Sequence, residues 1–195
     1  MSHLARITMA LALSIALGLP ASAATYQIDP VHSSIGFSVS HLMVSKTDGV
    51  FTEYTGAIAF DPDNLESANF QATIQVSSID TRNEKRDGHL RSPDFFDADS
   101  FPTIEFQSTA LKGDGPEYVL EGNLTIRGVT RQLSLPVTIS GPVQTPMGFS
   151  AIGISGQTVI NRQDFGVSWN KQMDQGGLVV GDEVTIIINI EGHNP

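Results

Sequence analysis

Residues 69–78 alternate apolar and polar with a period of two. Phe70, Ala72, Ile74 and Val76 share one face; Asn69, Gln71, Thr73, Gln75 and Ser77 share the other. Successive side chains of a strand point to opposite sides, so this pattern predicts a strand with one wet and one dry face. The signature recurs along the chain: Ile35, Phe37 and Val39; Tyr54, Ile58 and Phe60; Ile104 and Phe106; Tyr118, Leu120, Leu124 and Ile126. It continues through Val129, Leu133, Leu135, Val137 and Ile139, and ends with Val184, Ile186, Ile188 and Ile190. Residues 148–160 predict a further strand whose glycines blur the alternation.

The turns agree. Lys112-Gly113-Asp114-Gly115-Pro116 is a hairpin loop, Arg127-Gly128 a tight connection, and Asp61-Pro62-Asp63-Asn64 and Ser140-Gly141-Pro142 end strands. Eight or so strands with short sequential turns predict an all-β fold, an antiparallel up-and-down barrel in preference to a sandwich. No repeat or linker divides the chain.

The first residues read as an address. Arg6 is the only formal charge before Asp29, residues 7–19 form an apolar run, and Ala21-Ser22-Ala23 follows Pro20. This is the pattern of a signal peptide, residues 1–23, and the run falls short of the roughly 20 residues that span a bilayer. Removing 23 of the 195 residues leaves 172, residues 24–195, as one barrel domain. The formal charge of −10 argues against nucleic-acid partners and against electrostatic recruitment to anionic membranes. The chain has no cysteine, which excludes disulfides and a lipid anchor on a cysteine. A periplasmic location fits these features best.

Two segments break the strand pattern. Residues 81–101 predict a short helix over 83–90 and a second helical turn over 92–96, capped by Ser92 or Asp94. Within them, Arg86-Asp87-Gly88-His89-Leu90-Arg91 sets charges beside Phe95-Phe96. Residues 161–181 carry Asp164-Phe165-Gly166 and Trp169. Insertions of this length on a barrel cover or shape its mouth.

The ordered motifs Tyr26-x-Ile28-Asp29-x-x-His32-Ser33-x-Ile35-x-Phe37-x-Val39-x-His41, Gly49-x-Phe51, Ser78-Ile79-x-Thr81, Arg86-Asp87-x-His89-Leu90 and Phe95-Phe96-Asp97 resemble the YceI-like family. Phe101-Pro102-x-Ile104-x-Phe106, the stretch from Gly122 to Thr130, Asn161-Arg162-x-Asp164-Phe165-Gly166 and Gly181-Asp182-x-Val184-x-Ile186 extend the resemblance over nearly the whole chain. It implies a lipocalin-like barrel that binds a polyisoprenoid chain, in some members the tail of a quinone or its precursor, as a carrier or store. No cofactor other than that ligand is implied.

Under that reading the apolar lining comprises Ile35, Phe37, Val39, Tyr54, Ile58, Phe60, Phe70, Ile74, Phe106, Leu124 and Ile186, with Phe95, Phe96 and Trp169 at the mouth. Each has an equally good account as plain core packing, because core and cavity lining look identical in sequence. Arg86, His89 and Arg91 are candidates to meet a polar head group, or else to fix the loop through ion pairs. Arg162 and Asp164 are expected to pin a turn. His32, His41, His89 and His193 show no metal spacing, and no catalytic elbow or thiol nucleophile is present. Two other readings stay open: an enzyme using His41 or His89 as base, and a barrel filled by its own side chains. Transient membrane contact for ligand exchange and a homodimer through a strand edge or swapped loop are further expectations.

Overall fold

A computed structural model describes residues 23–173 and 176–194, so the expected leader lies outside the described residues except for Ala23. Eleven strands form one sheet. β1 (Ala24–Ile28) and β2 (Ser34–His41) both run antiparallel to the last strand, β11 (Val180–Asn194), with Gln27 opposite His193 and Ser34 opposite Asn189. They are one long strand broken at residues 29–33. The next pair repeats the break: β3 (Ser45–Phe51) lies on β2 and β4 (Tyr54–Phe60) on β1. β5 (Asn69–Gln75) then pairs with β4, and the two-residue β6 (Ile79–Asp80) with β3.

From β5 onward each strand pairs with its predecessor in the ring: β7 (Thr103–Asp114), β8 (Glu117–Ile126), β9 (Val129–Gln144), β10 (Ser150–Asn161) and β11. β11 returns to β1, so with each broken strand counted once an eight-stranded meander barrel closes. Closure satisfies the backbone groups that open edges would leave unpaired. Among the described residues it leaves a strand-edge dimer little to use beyond β6.

Alternation places one face of each strand inside. In β8 Tyr118, Leu120, Gly122, Leu124 and Ile126 are buried while Glu117 and Val119 face solvent. Aromatic rings cover interior glycines: a Cβ on Gly122 would come within 2.5 Å of Phe106, and one on Gly49 within 2.4 Å of Phe37. The twelve residues of β7, rising about 3.3 Å each and tilted roughly 40°, give a barrel about 30 Å long.

One end of the barrel is packed shut by Tyr26, Phe60, Leu111, Tyr118, Val137 and Ile152, all buried. The other end carries both irregular segments. Helix α1 (Glu84–Arg91) starts where the Asn83 side chain accepts a hydrogen bond from the Arg86 amide. It stops at Ser92, whose hydroxyl and amide both donate to the His89 carbonyl. Ser92 also opens the turn expected over 92–96: its hydroxyl accepts from the Asp94 amide at 3.4 Å and its carbonyl from the Phe95 amide at 3.0 Å, but the turn stays single and is not extended into a second helix. A 3-10 turn (Arg162–Phe165), capped by Asn161, forms the other cover. No helix among the described residues is long and apolar enough to cross a membrane.

Candidate ligand tunnel

The middle of the barrel is not filled by its own side chains. A chamber of about 140 Å³ lies under the covers, and a second of about 110 Å³ lies deeper. Ile35, Ile74, Leu124 and Ile186 border both and form a waist between them. The deep chamber is walled by Ile58, Phe70, Phe106 and Ile190 among others, and its surface is apolar. In the upper chamber Arg162 is the one polar side chain. A third space of about 190 Å³ adjoins the upper chamber through Phe37, Val39, Leu90, Phe95 and Val180. Its remaining walls are Ser40, His41, Thr47, Arg86, His89, Trp169 and Val179, so it forms a largely apolar vestibule that brings a few polar groups to the top of the shaft.

The covers are held by buried polar bonds. Thr81, at the end of β6, is the anchor of α1. Its amide and hydroxyl donate to the Asp87 carboxylate, and Arg86 donates from Nε to the hydroxyl and from Nη2 to the carbonyl, both at 2.7 Å. Asp87 is only 5 % exposed, and both donors fall on its Oδ1. Such charge-assisted bonds are the strong ones in a low-dielectric setting. They leave Leu90, Phe95 and Phe96 facing the upper chamber.

Arg162, also 5 % exposed, donates to the carbonyls of Val167 (2.6 Å), Trp169 (2.9 Å) and Gly181 (2.8 Å) and to Asp182 (3.0 Å). Burial pushes its pKa down, while Asp182 beside it pushes back. Arg127 bridges the two covers, donating to the Gly166 carbonyl at 2.6 Å and to the Pro93 carbonyl at 2.9 Å. His89 meets Phe95 and Trp169 edge-on, each with ring centroids 5.0 Å apart, and its Nε2 lies 2.9 Å from Asp94 Oδ2.

The structure sorts the sequence-predicted residues. Ile35, Phe37, Val39, Ile58, Phe70, Ile74, Phe95, Phe96, Phe106, Leu124 and Ile186 border a chamber, and Trp169, Arg86 and His89 border the vestibule. Three residues do not fit their expected place. Tyr54 borders none of these spaces; its hydroxyl donates to the Ser33 carbonyl at 2.7 Å, and burial raises its pKa. Phe60 packs edge-on against Tyr118 in the closed end. Arg91 faces away from the vestibule, donating to the carbonyls of Asp87 and Ser77 and lying 3.6 Å from Glu84. Alternation gives the face of a side chain but not its height along the barrel, and height separates Tyr54 and Phe60 from the lining.

Arg162 does pin its turn, as expected, and lines the upper chamber as well. Sequence reading missed His41 as a vestibule residue and Arg127 as the bridge. It also passed over Asp29, Glu191 and His193, whose ligand-capable atoms lie within 4.8 Å of one another on the outer wall. The signal available was Glu191-x-His193 on one face of β11. There the Asp29–His32 pair (2.5 Å) and the Glu191–His193 pair (2.7 Å) meet across the break between β1 and β2. Hydrogen bonding to His32 lowers the Asp29 pKa and raises that of His32.

A closed meander barrel with an apolar shaft, two covers and a vestibule at its mouth is a barrel of lipocalin-like build. The chain belongs to the YceI-like family, whose domain matches residues 26–192. It is 36 % identical over 160 residues to the UPF0312 protein SA2479 of Staphylococcus aureus (strain N315), covering 82 % of this chain and 91 % of that one. Among solved structures, BcnA of Burkholderia cenocepacia superposes with a TM-score of 0.74 at 26 % identity, over 84 % of this chain and 98 % of BcnA. The YCEI protein of Campylobacter jejuni gives 0.70 at 30 % identity, over 80 % and 90 %. A polyisoprenoid binding domain from Saccharophagus degradans shares the fold, with a TM-score of 0.69 at 14 % identity over 89 % and 99 %.

Proposed function

We propose that this protein is an exported, periplasmic binding protein that holds an isoprenoid lipid, its tail in the two chambers and its head group in the vestibule. The carrying observation is the pair of adjoining apolar chambers, which meet polar side chains only where the upper one joins the vestibule. A prenyl tail is almost all apolar surface, and burying such surface is worth roughly 25 cal/mol per Å². A ligand that cannot cross water alone gains most from such a shaft. An eight-stranded barrel is wide enough for one slender chain. The shared fold of a domain described as polyisoprenoid binding supports the same reading.

At the head, His41, Arg86 and His89 offer donors and Trp169 offers a ring face. Arg86 spends Nε and Nη2 on Thr81, while Nη1 makes no hydrogen bond among the described residues. Arg91 leaves this set, because its bonds hold α1 from outside. The His89–Asp94 pair is the feature that favours a catalytic reading. Its side chains are 42 % and 56 % exposed, which suits a rim contact better than a sequestered acid–base pair.

Native mass spectrometry of the protein taken from its own cell envelope, followed by organic extraction, tests the proposal. The expected result is a bound mass that extracts as a prenyl lipid or quinone. A clean apo mass that also ignores added long-chain quinone overturns it. Recovery of an added prenyl ester in hydrolysed form would move the assignment to the catalytic reading.

A further inference from the structure

The rim beside the vestibule breaks two local rules at once. The turn joining β2 to β3 has positive φ at both central residues, Leu42 (52°) and Met43 (60°). Asparagine and glycine suit such turns, and large apolar residues do not. Nor are these side chains compensated by burial: Met43 is 72 % and Val44 84 % exposed, and Leu42 is exposed as well. Three adjacent large apolar residues at a solvent-facing tip are a liability unless the tip meets an apolar phase.

The tip is also tied to the second cover. The Leu42 amide donates to the Val179 carbonyl at 2.9 Å, and the Val179 amide donates to the Lys171 carbonyl at 3.0 Å. Met43 lies over Gly177, where a Cβ would fall 2.6 Å from its sulfur, and the exposed Leu178 follows. One continuous apolar lip therefore runs from the β2–β3 tip to residues 177–178. Its inner neighbours His41 and Val179 are walls of the vestibule.

We infer that this lip is a membrane-docking surface: it enters the outer layer of a phospholipid bilayer and sets the vestibule against it, so that the lipid passes between bilayer and barrel without crossing water. The inference rests on the lipid-binding reading above and names the partner of the same mouth. The occupant follows from continuity, since a patch contiguous with the opening of an apolar shaft must match the phase that the shaft's contents leave. The formal charge of −10 gives no electrostatic pull toward anionic lipid, so apolar insertion carries the contact and keeps it reversible.

The test uses the purified protein and vesicles of phosphatidylethanolamine and phosphatidylglycerol, with and without a long-chain isoprenoid quinone. The variants are Met43→Glu/Val44→Glu at the lip and Val143→Glu/Met147→Glu at the far end of the barrel, where Val143 and Met147 are exposed too. Thermal melting and binding of geraniol, which needs no membrane, report on folding and on the shaft. Wild type is expected to float with cargo-free vesicles. The lip variant is expected to lose flotation and to take up quinone from vesicles at least tenfold more slowly, with melting and geraniol binding unchanged. The far-end variant should behave as wild type.

Wild type that fails to float, or a lip variant that takes up quinone at the wild-type rate, overturns the inference; the first is the result that docking on a membrane protein would give. Equal slowing by the far-end variant also overturns it. Flotation that depends on the lip, without binding of geraniol or quinone, keeps the docking surface and removes the lipid-binding reading instead.

Discussion

The two ends of this barrel are built from the same strands and obey different rules. The closed end is core: Phe60 and Tyr118 meet edge-on, Val137 and Ile152 are buried, and neither chamber of the shaft reaches them. The mouth is assembled from inserted segments whose places are set by polar bonds, Asp87 and Arg86 on Thr81, Arg162 on its carbonyls, and Arg127 across both covers. Apolar packing is non-directional and makes a tight plug, whereas directional hydrogen bonds can hold a cover over an empty space. Stability belongs to one end and access to the other.

The sharpest way to break that division is at the waist. Leu124→Trp, placed between the chambers, is expected to weaken binding of a long-chain quinone roughly a hundredfold, about 2.7 kcal/mol. Geraniol, short enough for the upper chamber, should lose less than about threefold by titration calorimetry. The overpacked side chain should itself cost about 1–3 kcal/mol of stability. Equal loss for both ligands would mean that the chambers do not act in series.

At the closed end, Phe60→Ala is expected to lower stability by about 3–5 kcal/mol in urea titration, through lost burial and the cavity left behind. Affinity for geraniol should be nearly unchanged. A large change in affinity with little change in stability would reverse the roles assigned to the two ends.

At the mouth, Asp87→Asn weakens the hold on Thr81 and is expected to cost about 1–3 kcal/mol. The loss should be local, with faster amide hydrogen exchange in α1 and little change in β8 and β9. Uniform acceleration across the barrel would show that the cover is part of the global folding unit.

The smallest effect concerns the Asp29–His32 pair at the break between β1 and β2, where no cover is involved. Hydrogen bonding raises the His32 pKa above 6.5, so its contribution is full below 6.5 and is lost as pH rises through the folded value. The Asp29 pKa is lowered below 3.8, so its contribution is present above 3.8 and is lost as pH falls through the folded value. The pair therefore stabilises most between those limits. Asp29→Asn should bring the His32 pKa down toward 6.5 in an NMR titration and lower the melting temperature slightly in that window. An unmoved His32 titration would remove the pair.

Much of this division was hidden in the sequence, and for physical reasons. Alternation exposed the strands and their dry faces because the period of a strand is local. The breaks at residues 29–33 and between β3 and β4 were invisible, since both halves keep the same faces inward. Phe60 and Ile58 read alike two residues apart, yet one plugs the end and the other borders the deep chamber. Arg91 and Arg86 also read alike on one short helix. Their different roles depend on Ser77 and Thr81, partners that only the fold brings near. Arg127 looked like turn chemistry because its acceptors lie 34 and 39 residues away.

The most direct test uses the single tryptophan of the chain, Trp169, which stands in the vestibule wall. A long-chain isoprenoid quinone titrated into the protein is expected to quench Trp169 fluorescence saturably, because its head group would stop beside that ring. A polyprenyl hydrocarbon of equal length should compete for the site without quenching. Absence of quenching while the quinone is demonstrably bound would place the head group elsewhere and contradict the assignment of tail to chambers and head to vestibule.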